Sequence, residues 1–162
     1  MWCTMTRINF GELGRVYIYI NIKPLNDTTM LPVRFKVDTG ADTSTISKLS
    51  LEVLGYDADW IRQNANVFGD KDKPVTASDD KVEAGLIQLP IINILDYEGK
   101  GWPFQIIMDE EQDFRNLLGR DLLTGFNYQF DNDNDVFSID KTKIFKPRYK
   151  FLPGQEIHEL VS

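Results

Sequence analysis

Val33, Phe35 and Val37 alternate with Arg34 and Lys36, and this period-two run leads straight into Asp38-Thr39-Gly40-Ala41. One apolar face and one charged face dictate a half-buried β-strand. The register delivers Asp38 to the strand end, at the margin of a core, followed by a hydroxyl and a residue without Cβ. A strand that presents a carboxylate on a tight polar loop is a narrow requirement on the fold. As a tripeptide, Asp-Thr-Gly is more often a plain turn, so the remainder of the chain must decide what the loop is for.

The remainder reads as mostly β. Val16 to Ile22 is β-branched and aromatic and is followed by the turn formers Pro24, Asn26 and Asp27, which predicts a hairpin with Pro32 to Val37. A third strand is expected at Thr45-Ile46-Ser47. A short helix is expected from near Ser50, with Leu51, Val53 and Leu54 as its apolar contacts and Gly55 as its stop. Residues 61–77 hold Val67-Phe68-Gly69 and the charged turn Asp70-Lys71-Asp72-Lys73-Pro74, a candidate hairpin. Leu86 to Leu95 and Trp102 to Met108 read as strands joined by a turn over residues 96–101 that contains two glycines. Arg120 to Gly125 is expected to be a short helix with Gly125 in the left-handed conformation, followed by a last hairpin of Phe126 to Phe130 and Val136 to Ile139.

With 162 residues, 42% of them apolar, the chain suits one core-bearing domain over residues 1–140 and a basic tail over 141–162. The net charge of -7 and a pI near 4.7 argue against a general affinity for nucleic acid or an anionic membrane. In the tail, Phe145, Tyr149 and Phe151 stand among Lys141, Lys143, Lys146, Arg148 and Lys150, and are expected to pack on the acidic body; an acidic partner or single-stranded nucleic acid is the other reading. Cys3 is the only cysteine, so no intrachain disulfide forms. Leu86 to Leu95 is too short and too broken by Gln88, Pro90 and Asn93 to span a bilayer, and the first residues lack the pattern of a secretory signal. A cytoplasmic location is the expectation. His158 is the single histidine, which excludes a histidine triad or a multi-histidine metal site within one chain. Asp131-Asn132-Asp133-Asn134-Asp135 has alternating oxygen ligands but puts Val136 where a calcium loop needs glycine, and reads as a polar hairpin turn. Trp60 and Trp102 read as core or groove walls. No metal or cofactor is called for.

Two carboxylates about 3 Å apart cannot both ionise, so they share a proton and act as base and acid on one water. Asp-Thr-Gly occurs once here, so this chemistry requires a second copy of the chain. Further along, Asn116-Leu117-Leu118-Gly119-Arg120-Asp121 carries an apolar pair into Gly-Arg and a short helix. Together, Asp38-Thr39-Gly40-Ala41 and Leu117-Leu118-Gly119-Arg120 resemble the motifs of the retropepsin family of dimeric aspartic proteases.

That resemblance implies a closed, retropepsin-like β-barrel with a flap hairpin and one or two short helices. It implies Asp38 as the catalytic carboxylate, Thr39 bonding to its counterpart across a dimer axis, Gly40 meeting substrate backbone, and Ala41 keeping the pocket floor small. Asp42 would contact substrate main chain and pair, partly buried, with Arg120, while Gly119 and Arg120 brace the loop from behind. Phe68 and Gly69 are the flap candidates. The implied activity is that of a homodimeric aspartic endopeptidase acting on a peptide or protein substrate, and family dimers commonly interleave both chain ends in one sheet. The alternative is a catalytically silent dimerisation or peptide-binding module. A third reading is a zymogen-like state in which the tail must be removed.

Overall fold

A computed structural model of the chain describes residues 5–67, 83–108 and 116–141. Its strands are β1 (Thr6–Asn9), β2 (Tyr17–Ile22), β3 (Leu31–Val37), β4 (Asn66–Val67), β5 (Ala84–Ile94), β6 (Tyr97–Ile107), β7 (Leu117–Leu118), β8 (Phe126–Asp131) and β9 (Val136–Lys141). Three short helices, α1 (Lys48–Val53), α2 (Ala58–Asn64) and α3 (Arg120–Leu123), complete the regular structure. None of the described helices is long and apolar enough to cross a membrane.

The strands form two sheets. In the larger one the order is β4-β5-β2-β3-β7, with β6 paired along the other edge of β5. The smaller has the order β1-β9-β8. These pairings among the described residues leave both sheets open, so the closed barrel implied by the resemblance is not what they form. The core lies on the alternating face: Ile18, Ile20 and Ile22 of β2 and Phe35 and Val37 of β3 are buried, together with Ile87, Leu89, Trp102 and Phe104. Tyr19, between two buried isoleucines, is 59% exposed. Trp102 is therefore core, while Trp60 is half-buried with its ring centroid 4.5 Å from that of Tyr56.

Several local expectations need correction. Thr45 to Ser47 is not a strand; Thr45 alone bridges Gln105 on one side and Leu117 on the other. The first helix starts at Lys48, with Ser47 accepting from the Ser50 N–H as its N-cap. Leu51 and Leu54, three apart, share its buried face, and Val53 on the other side is 74% exposed. Gly55 does end it, at φ 90°. Ile61 belongs to α2, capped by Asp57, rather than to a hairpin. The turn after β5 is Leu95-Asp96, both at positive φ, a two-residue connection of the kind that matches strand twist. Gly99 and Gly101 thus sit inside β6, where a Cβ on Gly99 would come within 3.2 Å of Ile92 and Tyr97. Gly125 is not left-handed; α3 closes instead on Thr124 in right-handed geometry. The last hairpin forms with Phe126 opposite Lys141 and Asp131 opposite Val136, and Asp131 caps its own turn by accepting from the Asn134 N–H.

Candidate active site

β3 is flanked by β2, antiparallel, and by β7, parallel, with Lys36 opposite Leu117 and Val37 opposite Leu118. The parallel pairing continues one residue further: the Asp38 N–H donates to the Leu118 carbonyl at 2.9 Å. Beyond that point both chains turn, and the two turns are laced together. Arg120 N donates to Ala41 O at 2.8 Å, Asp121 N to Asp42 O at 3.2 Å, and Thr45 and Leu117 exchange both backbone bonds at 2.9 Å. The loop of residues 38–45 is thus clasped along its length by residues 117–121.

Asp38 is half-buried, and its Oδ1 accepts from the Gly40 N–H at 3.0 Å while its carbonyl accepts from Ala41 N at 3.2 Å. Thr39, Gly40 and Asp42 are exposed and Ala41 half-buried, so the loop turns its polar groups outward. Asp42 and Arg120 form an ion pair across the clasp, with their side chains 79% and 58% exposed. The expected pairing partner is right and the expected burial is not: the pair stands in solvent, where it orients the loop more than it stabilises the fold. Phe68 and Gly69 lie outside the described residues. Their flanks are described: β4 and β5 pair antiparallel, Val67 opposite Gly85, as the stem of a hairpin would.

The packing behind the loop explains the glycine at 119. A Cβ placed there would sit 2.8 Å from the Ala41 carbonyl oxygen and 2.8 Å from the Thr43 carbonyl carbon. Only a residue without a side chain lets the two backbones approach this closely.

Two residues that sequence reasoning passed over hold the clasp from inside. Asp121 is 3% exposed and Ser44 fully buried. Asp121 Oδ1 accepts from the Ser44 hydroxyl at 2.6 Å and from Leu122 N at 2.8 Å, while Oδ2 accepts from Ser44 N at 3.0 Å. The Ser44 oxygen accepts in turn from Gly119 N at 2.9 Å. An acid in the first turn of a helix ordinarily reads as a solvated group complementing the helix dipole, so Asp121 gave no sequence signal of burial. Asn116 acts similarly, accepting from Ser47 N at 2.8 Å and donating to Ser50 Oγ and Arg34 O, which ties α1 to β3.

Burial pushes the Asp121 carboxyl up to about 6, against the pull of its three donors. An unfolded aspartate ionises near 3.8, so between these values the folded state holds the extra proton. The contribution of this group to stability is therefore full below about pH 4 and lost as pH rises through about 6. The loss is up to about 3 kcal/mol for a shift of this size. Asp121→Asn removes the titrating group, so the wild type should lose up to that amount of stability relative to the variant as pH rises from about 4 to about 7, whatever the offset between the two at pH 4. Urea unfolding at both pH values checks this, and a pH-independent difference would refute it.

Among the described residues, no cluster of three or more His, Cys, Asp or Glu is arranged to hold a metal ion. No protein-family model matches the chain, and no curated protein matches it. Solved structures do. The retroviral protease-like domain of Ddi1 from Leishmania major has a TM-score of 0.49 at 21% identity, over 88% of this chain and 98% of that one. A crystal structure of a retropepsin-like aspartic protease from Rickettsia conorii has a TM-score of 0.58 at 20% identity, over 86% of this chain and 93% of that one. That second likeness, at its low identity, is one of fold: the chain is built on a mostly β fold similar to that of a retropepsin-like aspartic protease.

Proposed function

We propose that the chain is an aspartic endopeptidase that works as a homodimer, with Asp38 of each subunit meeting across a two-fold axis. The observation that carries this reading is the clasp: a half-buried aspartate at a strand end, on a loop held by the Leu117-to-Asp121 segment, in a retropepsin-like fold. Single occurrence of the motif makes dimerisation part of the chemistry rather than an addition to it.

In the proposed site, one Asp38 is ionised and the other protonated. The ionised group takes a proton from the water between them as that water attacks the peptide carbonyl, and the protonated group delivers its proton to the carbonyl oxygen. The tetrahedral intermediate then collapses with protonation of the leaving amine. Thr39 holds its counterpart across the axis, and Gly40 and Asp42 meet the substrate backbone. Two extended chains require an interface, and the outer edge of β8, with Tyr128 and Phe130 each 37% exposed, has no strand partner among the described residues. A two-fold pairing of such edges would close them.

The test is digestion of a diverse peptide mixture by purified protein from about pH 3 to about pH 8, with the oligomeric state measured by sedimentation in the same buffers. A dimer that cleaves with a bell-shaped pH profile is expected, since hydrolysis needs one shared proton. A folded dimer that cleaves nothing at any pH would replace this reading with a silent binding module.

A further inference from the structure

On a chain with net charge -7, three cations gather on one surface. Arg34 and Lys36 project from the polar face of β3, and Arg15 precedes β2, so that all three line a groove of about 690 Å³ between this sheet face and α1. Among the described residues no carboxylate pairs with any of them. The Arg34 guanidinium carbon lies 4.4 Å from the centroid of the Tyr17 ring, a cation–π contact that positions the group and leaves its N–H donors available.

The groove is also apolar in part. Leu49 and Val53, 70% and 74% exposed on the outer side of α1, face it together with Val33. Its floor is fixed by Asn116, whose amide bridges the Ser47 N–H, Ser50 Oγ and the Arg34 carbonyl at 2.8 to 3.1 Å. From Pro32 to Lys36 the lined part of β3 extends roughly 13 Å, the length of about four residues of extended peptide. Lys36, at one end of the groove, stands two residues before Asp38 in the chain, about 7 Å of extended backbone.

Cations that no described carboxylate pairs, set among exposed aliphatic side chains on a molecule of net negative charge, suit a ligand that alternates carboxylates with apolar groups. We propose that this groove docks an acidic, extended segment of the peptide substrate, with Arg15, Arg34 and Lys36 holding its carboxylates and Leu49 and Val53 covering its apolar side chains. The identity of the occupant as substrate rests on the endopeptidase reading; the docking chemistry does not. A nucleic acid strand would use the same cations, but its sugar-phosphate backbone would leave the aliphatic rim of Leu49 and Val53 unused.

The experiment is fluorescence anisotropy with the full chain carrying Asp38→Asn, which removes cleavage, and a labelled decapeptide alternating glutamate and leucine. Its companion replaces each glutamate with glutamine. The glutamate peptide should bind at least about tenfold more tightly at low salt, and the difference should shrink as salt rises. The double change Arg34→Glu with Lys36→Glu, folded by circular dichroism, should weaken that binding about tenfold or more and favour a lysine-leucine peptide instead. Equal affinity for the two peptides, or unchanged binding by the double variant, would overturn the proposal. So would tighter binding of oligothymidine than of the glutamate peptide, in favour of a nucleic acid strand. Charge-selective binding beside a wild type that cleaves nothing would overturn the endopeptidase reading and uphold the docking site; cleavage without charge-selective binding would do the reverse.

Discussion

Asp38→Asn should reduce peptide cleavage at least about a thousandfold, equivalent to about 4 kcal/mol or more of transition-state stabilisation, while leaving stability within about 1 kcal/mol. The asymmetry between the two effects comes from what Asp38 does in the fold. Its carboxylate makes one hydrogen bond that is described, accepted from the Gly40 N–H, and an amide oxygen accepts that bond equally well. Its backbone bonds to Leu118 and Ala41 are indifferent to the side chain. The proposed chemistry, by contrast, needs a group that ionises, and asparagine in both subunits supplies neither base nor acid. In the proposed dimer each site takes one Asp38 from each subunit, so mixed dimers of wild type and variant should also fall far below half the activity of the parent. Activity in pure Asp38→Asn above about a tenth of wild type would show that Asp38 is not the acid–base pair.

Gly119→Ala should destabilise the fold by roughly 3 kcal/mol or more in urea unfolding and lower activity with it. The added methyl meets backbone, not flexible side chain: the Ala41 oxygen and the Thr43 carbonyl carbon, both at 2.8 Å. Backbone yields only if the clasp opens, and opening it stretches Arg120 N to Ala41 O and Gly119 N to Ser44 Oγ together. Gly40→Ala is the matched comparison. A Cβ there meets only the Asp38 Oδ1, at 3.3 Å, and lies on the exposed side of the loop. Its stability should change by less than about 1 kcal/mol. A Gly119→Ala protein as stable as wild type would mean that the 38–45 loop is not held from behind by residues 117–121.

Both predictions concern the same few residues, legible in the sequence to different degrees. The strand ending in Asp38 was readable because period-two burial is a local property: Phe35 and Val37 are buried and Arg34 exposed as the alternation requires. The helix after it is expected from near Ser50 and starts at Lys48, and Val53 is not the core contact expected of it, because at helical spacing Leu51 and Leu54 share one face while Val53 points to the other side. The glycine-containing stretch 96–101 has the composition of a turn, yet two residues, Leu95 and Asp96, make it. Pairing with β5 over nearly its whole length outweighs the cost of glycine in β6.

What the sequence determined by itself was the set of local commitments: mostly β, a carboxylate on a strand-end loop, and a Gly-Arg segment to go with it. Each follows from side-chain periodicity or residue type within a short window. Only the tertiary structure decided which of those residues meet. Ser44 and Asp121 are 77 positions apart and form a buried hydrogen-bonded pair. Asp42 and Arg120 pair in solvent rather than in the core, and Arg15, Arg34 and Lys36 converge on one groove. The physical reason is that burial and charge proximity are long-range outcomes of strand order. β7 lies parallel to β3 because the core needs Leu118 beside Val37, and that single placement sets the clasp, the buried acid and the glycine that no side chain can replace.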